Sequence, residues 1–132
     1  MDGAVIQRER HSRKDGHLVE LFSNRDLPNF RCRHSYFVVL EQGATRAKHY
    51  HNKKTEIIAP VYGKVELVLK NLESGEERGE ELSPEGEYKM VIIHPNIAHA
   101  IKNKNDGRSG IVVFSDSYDL EDTHHYEFGE EK

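Results

Sequence analysis

The chain has 132 residues, of which 36% are hydrophobic and 32% charged, with a formal net charge of −4 at pH 7. This length fits a single domain over residues 1–132, and the mildly acidic balance argues against a nucleic-acid partner. No apolar run approaches the roughly 18 residues of a membrane span, and no basic segment precedes an apolar one at the start. These absences predict a cytoplasmic chain without a membrane partner. The unusual count is histidine, with nine residues.

The two ends of the chain differ in charge and predicted order. Residues 1–14 form a predicted N-terminal arm in which four basic side chains are interrupted by Glu9. This mixture favours a solvated arm, and the alternative is a positive rim that attracts an anionic ligand such as a phosphate. Residues 129–132 are predicted to be frayed.

Between these ends the dominant hydrophobic period is two. Val65, Leu67 and Leu69 alternate with more polar residues, which predicts a half-buried strand. Residues 31–40 end in a continuous apolar run, as expected of a strand buried on both faces, and Cys32 is predicted to be a small buried residue. Turn signals recur at about the spacing of sandwiches and barrels. The pattern predicts nine or ten short strands in an all-β barrel or jelly roll.

The first segment with candidate chemistry contains two histidines that are two residues apart. His49 and His51 would point to one face of a strand, with Tyr50 on the other face. A turn over residues 52–54 could return the chain and bring the carboxylate of Glu56 to the same face. Two imidazoles and a carboxylate suit a divalent metal such as zinc, iron, manganese or nickel.

A second segment could supply a fourth ligand. Pro95 is expected at a turn or strand start, and His99 would then begin another strand. The competing interpretation is that these histidines are surface residues or satisfied core residues, since a single pair spaced by one residue is common by chance.

The spacing of these residues resembles a known superfamily. Gly43, His49, His51, Glu56 and Gly63 match the first signature of the cupins at every interval. The second signature is matched by Pro95, His99 and Asn103, although His99 and Asn103 lie one residue closer to the proline than usual and Ile97 replaces the glycine. The resemblance implies a single-domain cupin with a jelly-roll β-barrel, and it supports His49, His51, Glu56 and His99 as metal ligands.

Three further segments are similar to cupins that act on nucleotide sugars. They lie at positions 15–24, 31–51 and 115–126. The pattern resembles the dTDP-sugar 3,4-ketoisomerases, the dTDP-4-keto-6-deoxyhexose 3,5-epimerases and the C-terminal cupin domain of capsular-polysaccharide assembly enzymes. It implies an isomerase or epimerase that removes a proton next to the carbonyl of a 4-keto-6-deoxyhexose.

The same resemblance assigns roles to individual residues. His49 would be the base, since a histidine has a pKa near working pH, and His51 would assist or orient it. Tyr36 or Tyr118 could act as the acid or form a wall for the sugar. An arginine guanidinium can donate two parallel hydrogen bonds to a pyrophosphate. The candidates that we single out for substrate binding are therefore Arg33 and Arg46, together with Tyr36.

Two functional alternatives stay open. The ketoisomerases and epimerases of this type are thought to work without metal, whereas a histidine bound to metal cannot accept a proton at the same nitrogen. The first alternative is therefore a metal-dependent cupin of another class, such as a dioxygenase or phosphosugar isomerase. The second is a non-catalytic cupin that binds a sugar or another small ligand. A homodimer is expected in each case, because exposed edge strands of small barrels are commonly paired.

Overall fold

The computed structural model describes residues 4–25 and 27–129, and within them every regular element is a β-strand. The strands are β1 (Ala4–Arg8), β2 (Arg10–Arg13), β3 (Gly16–Val19), β4 (His34–Leu40), β5 (Thr45–Tyr50), β6 (Glu56–Tyr62), β7 (Val65–Asn71), β8 (Glu77–Leu82), β9 (Tyr88–Ile93), β10 (Ile97–Asn103), β11 (Ser109–Ser115) and β12 (His124–His125). The predicted all-β class is confirmed. These described residues also contain no helix that could cross a membrane.

The strand count differs from the nine or ten expected. Twelve strands form in the described residues, because the N-terminal arm contributes β1 and β2 and because β12 pairs as a two-residue strand with β5. The sequences of β2 and β12 are polar, so these strands pair through backbone hydrogen bonds without an apolar period that could predict them. The frayed tail predicted at residues 129–132 lies outside the described residues, apart from Gly129.

The strands form two five-stranded antiparallel sheets and a separate hairpin. The first sheet has the order β1-β9-β6-β11-β4, the second has the order β12-β5-β10-β7-β8, and β2 pairs with β3. From β4 to β12, consecutive strands alternate between the two sheets except for the hairpin of β7 and β8, as expected of a jelly roll. The first sheet meets the second across an interior of side chains from both, including Ile58, Leu67 and Ile101.

Glycines at two turns of the first cupin signature adopt backbone conformations that other residues avoid. Gly43 and Gly63 both have φ of 75°, in the left-handed region where a Cβ is unfavourable. A Cβ on Gly63 would also lie 2.4 Å from the hydroxyl oxygen of Ser109. The motif glycines therefore set the turns before β5 and after β6.

The outer face of the first sheet carries a second apolar cluster. Ile57, Ala59 and Met90 project from its strands and are buried under side chains of the segment before β4, of which Phe30 is the most deeply packed. The others are Val19, Leu21, Phe22 and Leu27. Fully burying side chains of this size stabilises the fold by about 1.5–3 kcal/mol each. The segment before β4 is thus fastened to the barrel wall although it contains almost no regular strand.

Two predictions about residues 31–40 are wrong. The apolar run forms β4, but Phe37 is 52% and Val39 41% exposed. Among the described residues β4 pairs only with β11 and so forms an edge of the first sheet, and the outer apolar cluster includes no side chain of β4. Cys32 precedes the strand and is exposed, not buried.

The prediction for β7 is confirmed, since Val65, Leu67 and Leu69 are buried in alternation.

Candidate active site

His49 is aimed into the barrel by an irregularity in β5. In the pairing with β10, His49 lies opposite His99 but Ala47 lies opposite Ala100, so Lys48 is an extra residue. Ala47 and Lys48 have φ of 71° and 58°, which is unusual for residues other than glycine. Such a bulge re-aims side chains, and here the backbone strain lies immediately before a candidate base.

The three predicted histidines converge at this point. The His49 ring centroid lies 4.9 Å from that of His51 and 4.7 Å from that of His99. His51 follows the end of β5, whereas His99 is the third residue of β10. His51 and His99 are buried, and His49 is half-buried. The structure therefore brings together three side chains that are separated by up to 50 positions in the sequence.

Backbone carbonyls determine which ring nitrogens are available. The Nδ1 of His51 lies 2.6 Å from the carbonyl oxygen of Asp122, and the Nδ1 of His99 lies 3.0 Å from that of Ile97. A carbonyl only accepts hydrogen bonds, so each Nδ1 carries a proton. In the neutral rings Nε2 therefore holds the lone pair, and in both residues it faces Glu56.

Glu56 connects these histidines to Tyr36. Its Oε1 lies 3.3 Å from the Nε2 of His51 and 4.0 Å from that of His99, while its Oε2 accepts a 3.0 Å hydrogen bond from the Tyr36 hydroxyl. Burial by itself would raise the pKa of Glu56, but the bond and charge of His51 and the hydroxyl bond of Tyr36 outweigh it and lower the pKa. The site therefore holds a buried carboxylate.

The contact between His51 and Glu56 has an electrostatic consequence. A neutral His51 presents a lone pair to a carboxylate oxygen, and its Nε2 is buried without a hydrogen-bond partner. Two acceptors at 3.3 Å repel each other unless a proton or another cation lies between them. The arrangement thus requires either an extra proton shared by this pair or a metal ion.

The other two imidazoles and the tyrosine are held in their neutral forms. Burial, followed by the neighbouring histidine, lowers the pKa of His49 and of His99 to about 4. Burial and the charge of Glu56 raise the pKa of Tyr36. At neutral pH the site accordingly combines two unprotonated imidazoles with a phenol that retains its proton, which are a potential base and a potential acid.

The donor set also fits a divalent metal. Among the described residues, one nitrogen from each of His49, His51 and His99 lies within 4.8 Å of the others. Glu56 adds a carboxylate oxygen near two of them. Metal-binding histidines usually donate their second nitrogen to a carbonyl or carboxylate, as His51 and His99 do here. Three of the four predicted ligands are therefore close enough to converge on one ion, with the Glu56 carboxylate beside two of them.

A cavity of about 90 Å³ lies beside the histidines. Tyr36, Arg46, His49, Glu56 and His99 contribute to its lining. The remaining predicted site residues, His51, Arg33 and Tyr118, do not belong to that lining as the structure describes it. Tyr118 is 68% exposed, and the backbone N–H of Arg33 donates to Ser115.

The sequence argument missed Asp122. This carboxylate is buried and accepts hydrogen bonds from three consecutive backbone N–H groups, at residues 52–54. Burial opposes its ionisation, but these three bonds outweigh burial and lower the pKa of Asp122. The segment 115–126 was singled out only for its resemblance to sugar enzymes, and no spacing rule links position 122 to position 51.

Three solved structures illustrate what the fold is similar to. A sugar 3,4-ketoisomerase from Thermoanaerobacterium thermosaccharolyticum, in complex with TDP, has 24% identity and a TM-score of 0.79, with 92% of this chain and 86% of that chain covered. A dTDP sugar isomerase from Desulfovibrio desulfuricans has 16% identity and a TM-score of 0.85, with 95% and 83% covered. A 3'-monoepimerase from Streptomyces bikiniensis, in complex with dTDP-quinovose, has 17% identity and a TM-score of 0.84, with 94% and 69% covered.

These likenesses confirm the predicted jelly-roll fold of the nucleotide-sugar cupins. No curated protein sequence matches the chain significantly. The model of one protein family, the polysaccharide biosynthesis C-terminal domain, matches residues 11–126. That range contains β3 to β12 and all the residues of the candidate site. The chain therefore belongs to the polysaccharide biosynthesis C-terminal domain family.

Proposed function

We propose that the chain is a nucleotide-sugar isomerase or epimerase that acts on a 4-keto-6-deoxyhexose. The observation that carries this proposal is the pairing of a half-buried, neutral imidazole, His49, with a protonated phenol, Tyr36, around one small cavity. The family match and the solved isomerases and epimerases of the same fold support the substrate class.

The proposed reaction moves a proton. His49 removes the proton bonded to the carbon next to the keto group, and the electron pair passes to the carbonyl oxygen to form an enolate. Arg46 lines the same cavity and offers a guanidinium to that developing negative charge. In an epimerisation, His49 or Tyr36 returns a proton to the opposite face of the same carbon and the carbonyl re-forms. In an isomerisation, the enolate oxygen takes up the proton of the neighbouring hydroxyl, which becomes the new carbonyl, and the former carbonyl carbon receives the proton.

Residues outside the cavity are assigned to the rest of the substrate. Arg33 is exposed near the start of β4, where its guanidinium could bind the pyrophosphate. Tyr118 stays a candidate for the acid or for a side chain that packs against the sugar. Because it is 68% exposed, the segment over residues 115–126 would have to move to bring it to the sugar. His51 orients the site through its bond to Asp122.

Solvent exchange tests this proposal directly. The purified chain is incubated in D₂O with a panel of TDP- and UDP-linked 4-keto-6-deoxyhexoses, and deuterium at C3 and C5 is measured by NMR and mass spectrometry. We expect incorporation at one of these carbons with at least one substrate. His49→Asn should abolish the incorporation, because an amide is not a base at neutral pH.

The matched control is Tyr50→Phe. Tyr50 is the neighbour of His49, and its ring contacts His124 and not the cavity, so this variant should exchange at the wild-type rate. Absence of exchange across the whole panel would contradict the proposal. Ligand binding without exchange would indicate a sugar-binding cupin instead of an enzyme.

The second candidate is a metal-dependent cupin, and the unpaired Nε2 of His51 opposite Glu56 favours it. In this case His49, His51, Glu56 and His99 would hold a divalent zinc, iron, manganese or nickel ion. Such an ion polarises a bound oxygen atom as a Lewis acid. The base would then have to be a group other than the ligating nitrogen of His49.

Metal analysis separates the two candidates. If the second is correct, the purified chain contains about one equivalent of metal and loses it on His99→Ala, while Tyr50→Phe retains it. An active chain with less than about a tenth of an equivalent after chelation would exclude this candidate and leave His49 as the base.

We also propose a homodimer. Exposed apolar side chains support it, namely Phe37, Val39, Val61 and Tyr62 near the free edge of the first sheet, since patches of this kind commonly mark protein interfaces. β1 is the opposite edge strand, and the N-terminal segment over residues 4–10 is our candidate for exchange between subunits. Sedimentation analysis at micromolar concentration should give twice the mass of the chain, and Phe37→Ser should shift the equilibrium towards monomer. A monomeric wild-type mass would contradict the proposal.

A further inference from the structure

Asp122 is a buried acid that neither the metal nor the proton-transfer scheme uses. Its Oδ1 accepts a 2.8 Å hydrogen bond from the backbone N–H of Asn52. Its Oδ2 accepts bonds of 2.9 Å and 3.1 Å from the N–H groups of Lys53 and Lys54. A concave row of backbone N–H groups is a favourable anion site, and here the anion belongs to the same chain. Asp122 therefore fastens the C-terminal segment to the turn between β5 and β6.

The main chain of Asp122 makes a different contact. Its carbonyl oxygen accepts the hydrogen bond from the Nδ1 of His51 at 2.6 Å. The side chain and the carbonyl of one residue thus bind two consecutive parts of the site, the turn and the ring of His51. Since the carboxylate is anchored at three points, the carbonyl has little freedom to leave the imidazole.

We propose that Asp122 is a positioning residue, which fixes the ring orientation of His51 and keeps its proton on Nδ1. The lone pair on Nε2 is then directed at Glu56 and the other histidines, where the chemistry takes place. The effect on turnover rests on the proposed function, whereas the effect on the His51 tautomer does not. Partners of this kind around catalytic or metal-binding histidines typically change activity or affinity by about 10–100-fold when removed.

A purely structural role for Asp122 predicts a different behaviour, and Asp116 provides the matched control. Asp116 also lies on the C-terminal segment, and its Oδ1 accepts a 2.9 Å bond from the backbone N–H of Thr55, next to the same turn. Its own N–H donates to the carbonyl of Thr55. These hydrogen bonds run to Thr55, and none that the described residues show joins Asp116 to His51, so Asp116 holds the segment without a bond to the ring.

The test compares Asp122→Ala, Asp122→Asn and Asp116→Ala in the full chain. Nitrogen-15 NMR of the histidine rings near pH 8 reports the tautomer of His51, with and without added zinc, and solvent exchange into the keto-sugar reports kcat and KM. Asp122→Ala should lose the protected Nδ1 proton and lower kcat by about 10–100-fold, with KM changed less than about threefold. Asp122→Asn keeps one acceptor oxygen, so it should lie between this variant and the wild type.

Asp116→Ala should retain the wild-type tautomer and kcat. The proposal is overturned if Asp122→Ala keeps both, or if the two alanine variants lose activity equally with the His51 tautomer unchanged. Should Asp122→Ala fail to fold, Asp122→Asn decides by the same criteria. If no keto-sugar is turned over, the proposed function fails while the NMR comparison still decides whether Asp122 positions the ring.

Discussion

The interior of the barrel contains two layers of different chemistry on the same strands. β4, β6 and β10 place Tyr36, Glu56 and His99 in the polar layer. Two residues further along, the same strands place Val38, Ile58 and Ile101 beside the apolar core. Because side chains two residues apart project from the same face of a strand, both layers face the interior of the barrel. The apolar layer therefore provides a rigid base, whereas the polar layer keeps side chains whose hydrogen-bonding atoms are not all paired with one another.

The largest expected effect on stability comes from the apolar layer. Leu67 is fully buried in β7, and Leu67→Ala should lower the free energy of unfolding by about 2–5 kcal/mol, because it removes apolar contacts and leaves a cavity. The activity per folded molecule should change less than about threefold. Urea unfolding and the exchange assay measure the two quantities.

Val68→Ala is the control for that substitution. Val68 is the neighbour in β7 that points away from the core and is only half-buried, so its truncation should cost less than about 1 kcal/mol. Equal losses for the two variants would show that the core is not organised around the face of Leu67.

The polar layer should respond in the opposite way. Tyr36→Phe removes the hydroxyl that donates to Glu56, so it should lower kcat by about 10–100-fold as the acid is lost. The free energy of unfolding should fall by only about 1 kcal/mol, the net value of one hydrogen bond. A wild-type kcat for this variant would remove Tyr36 from the proposed mechanism.

Another tyrosine, Tyr88, sharpens the comparison because it is more deeply buried than Tyr36. The hydroxyl of Tyr88 donates to the carbonyl of Pro60 under the outer apolar cluster, and burial raises the pKa of Tyr88 to about 12. The unfolded chain loses this proton near pH 10, so the folded state binds more protons between pH 10 and 12. Stability from this group is complete below pH 10 and is lost as pH rises towards 12.

Tyr88→Phe should therefore flatten the alkaline loss of stability without lowering kcat. Between pH 9 and 11 we expect the wild type to lose about 1 kcal/mol more than the variant, after allowance for partial solvent screening. Chemical unfolding at both pH values gives the difference. Parallel curves would mean that the phenol ionises as easily in the folded chain as in the unfolded one.

The smallest effect concerns the bulge that aims His49. Lys48 has φ of 58° and is exposed, so Lys48→Gly should stabilise the fold by about 0.5–1 kcal/mol through relief of backbone strain. Ala47 has the same kind of backbone, but its methyl group packs against the core. Its replacement by glycine loses about 0.8 kcal/mol of burial, which should cancel the relief. Thermal melts of both variants test this difference.

The sequence predicted the fold class and the central site more successfully than it predicted exposure. Spacing paired His49 with His51 and pointed to Glu56 and His99, and the cupin signature supported all four, because such motifs encode strand period and turn length. The buried strand expected at residues 31–40 failed for a physical reason. Apolar composition does not say whether a strand is central or at an edge, and β4 is an edge strand.

The linear chain by itself determined the alternating core of β7, the left-handed turns at Gly43 and Gly63, and the set of four donors. These features depend on neighbours in sequence and on local backbone preferences. Only the tertiary structure decided that Tyr36 bonds to Glu56 and that Asp122 binds the turn at residues 52–54 and the ring of His51. Those contacts join residues 20 to 71 positions apart. The protonation states of these groups depend on burial and on partners that exist only after the two sheets have packed.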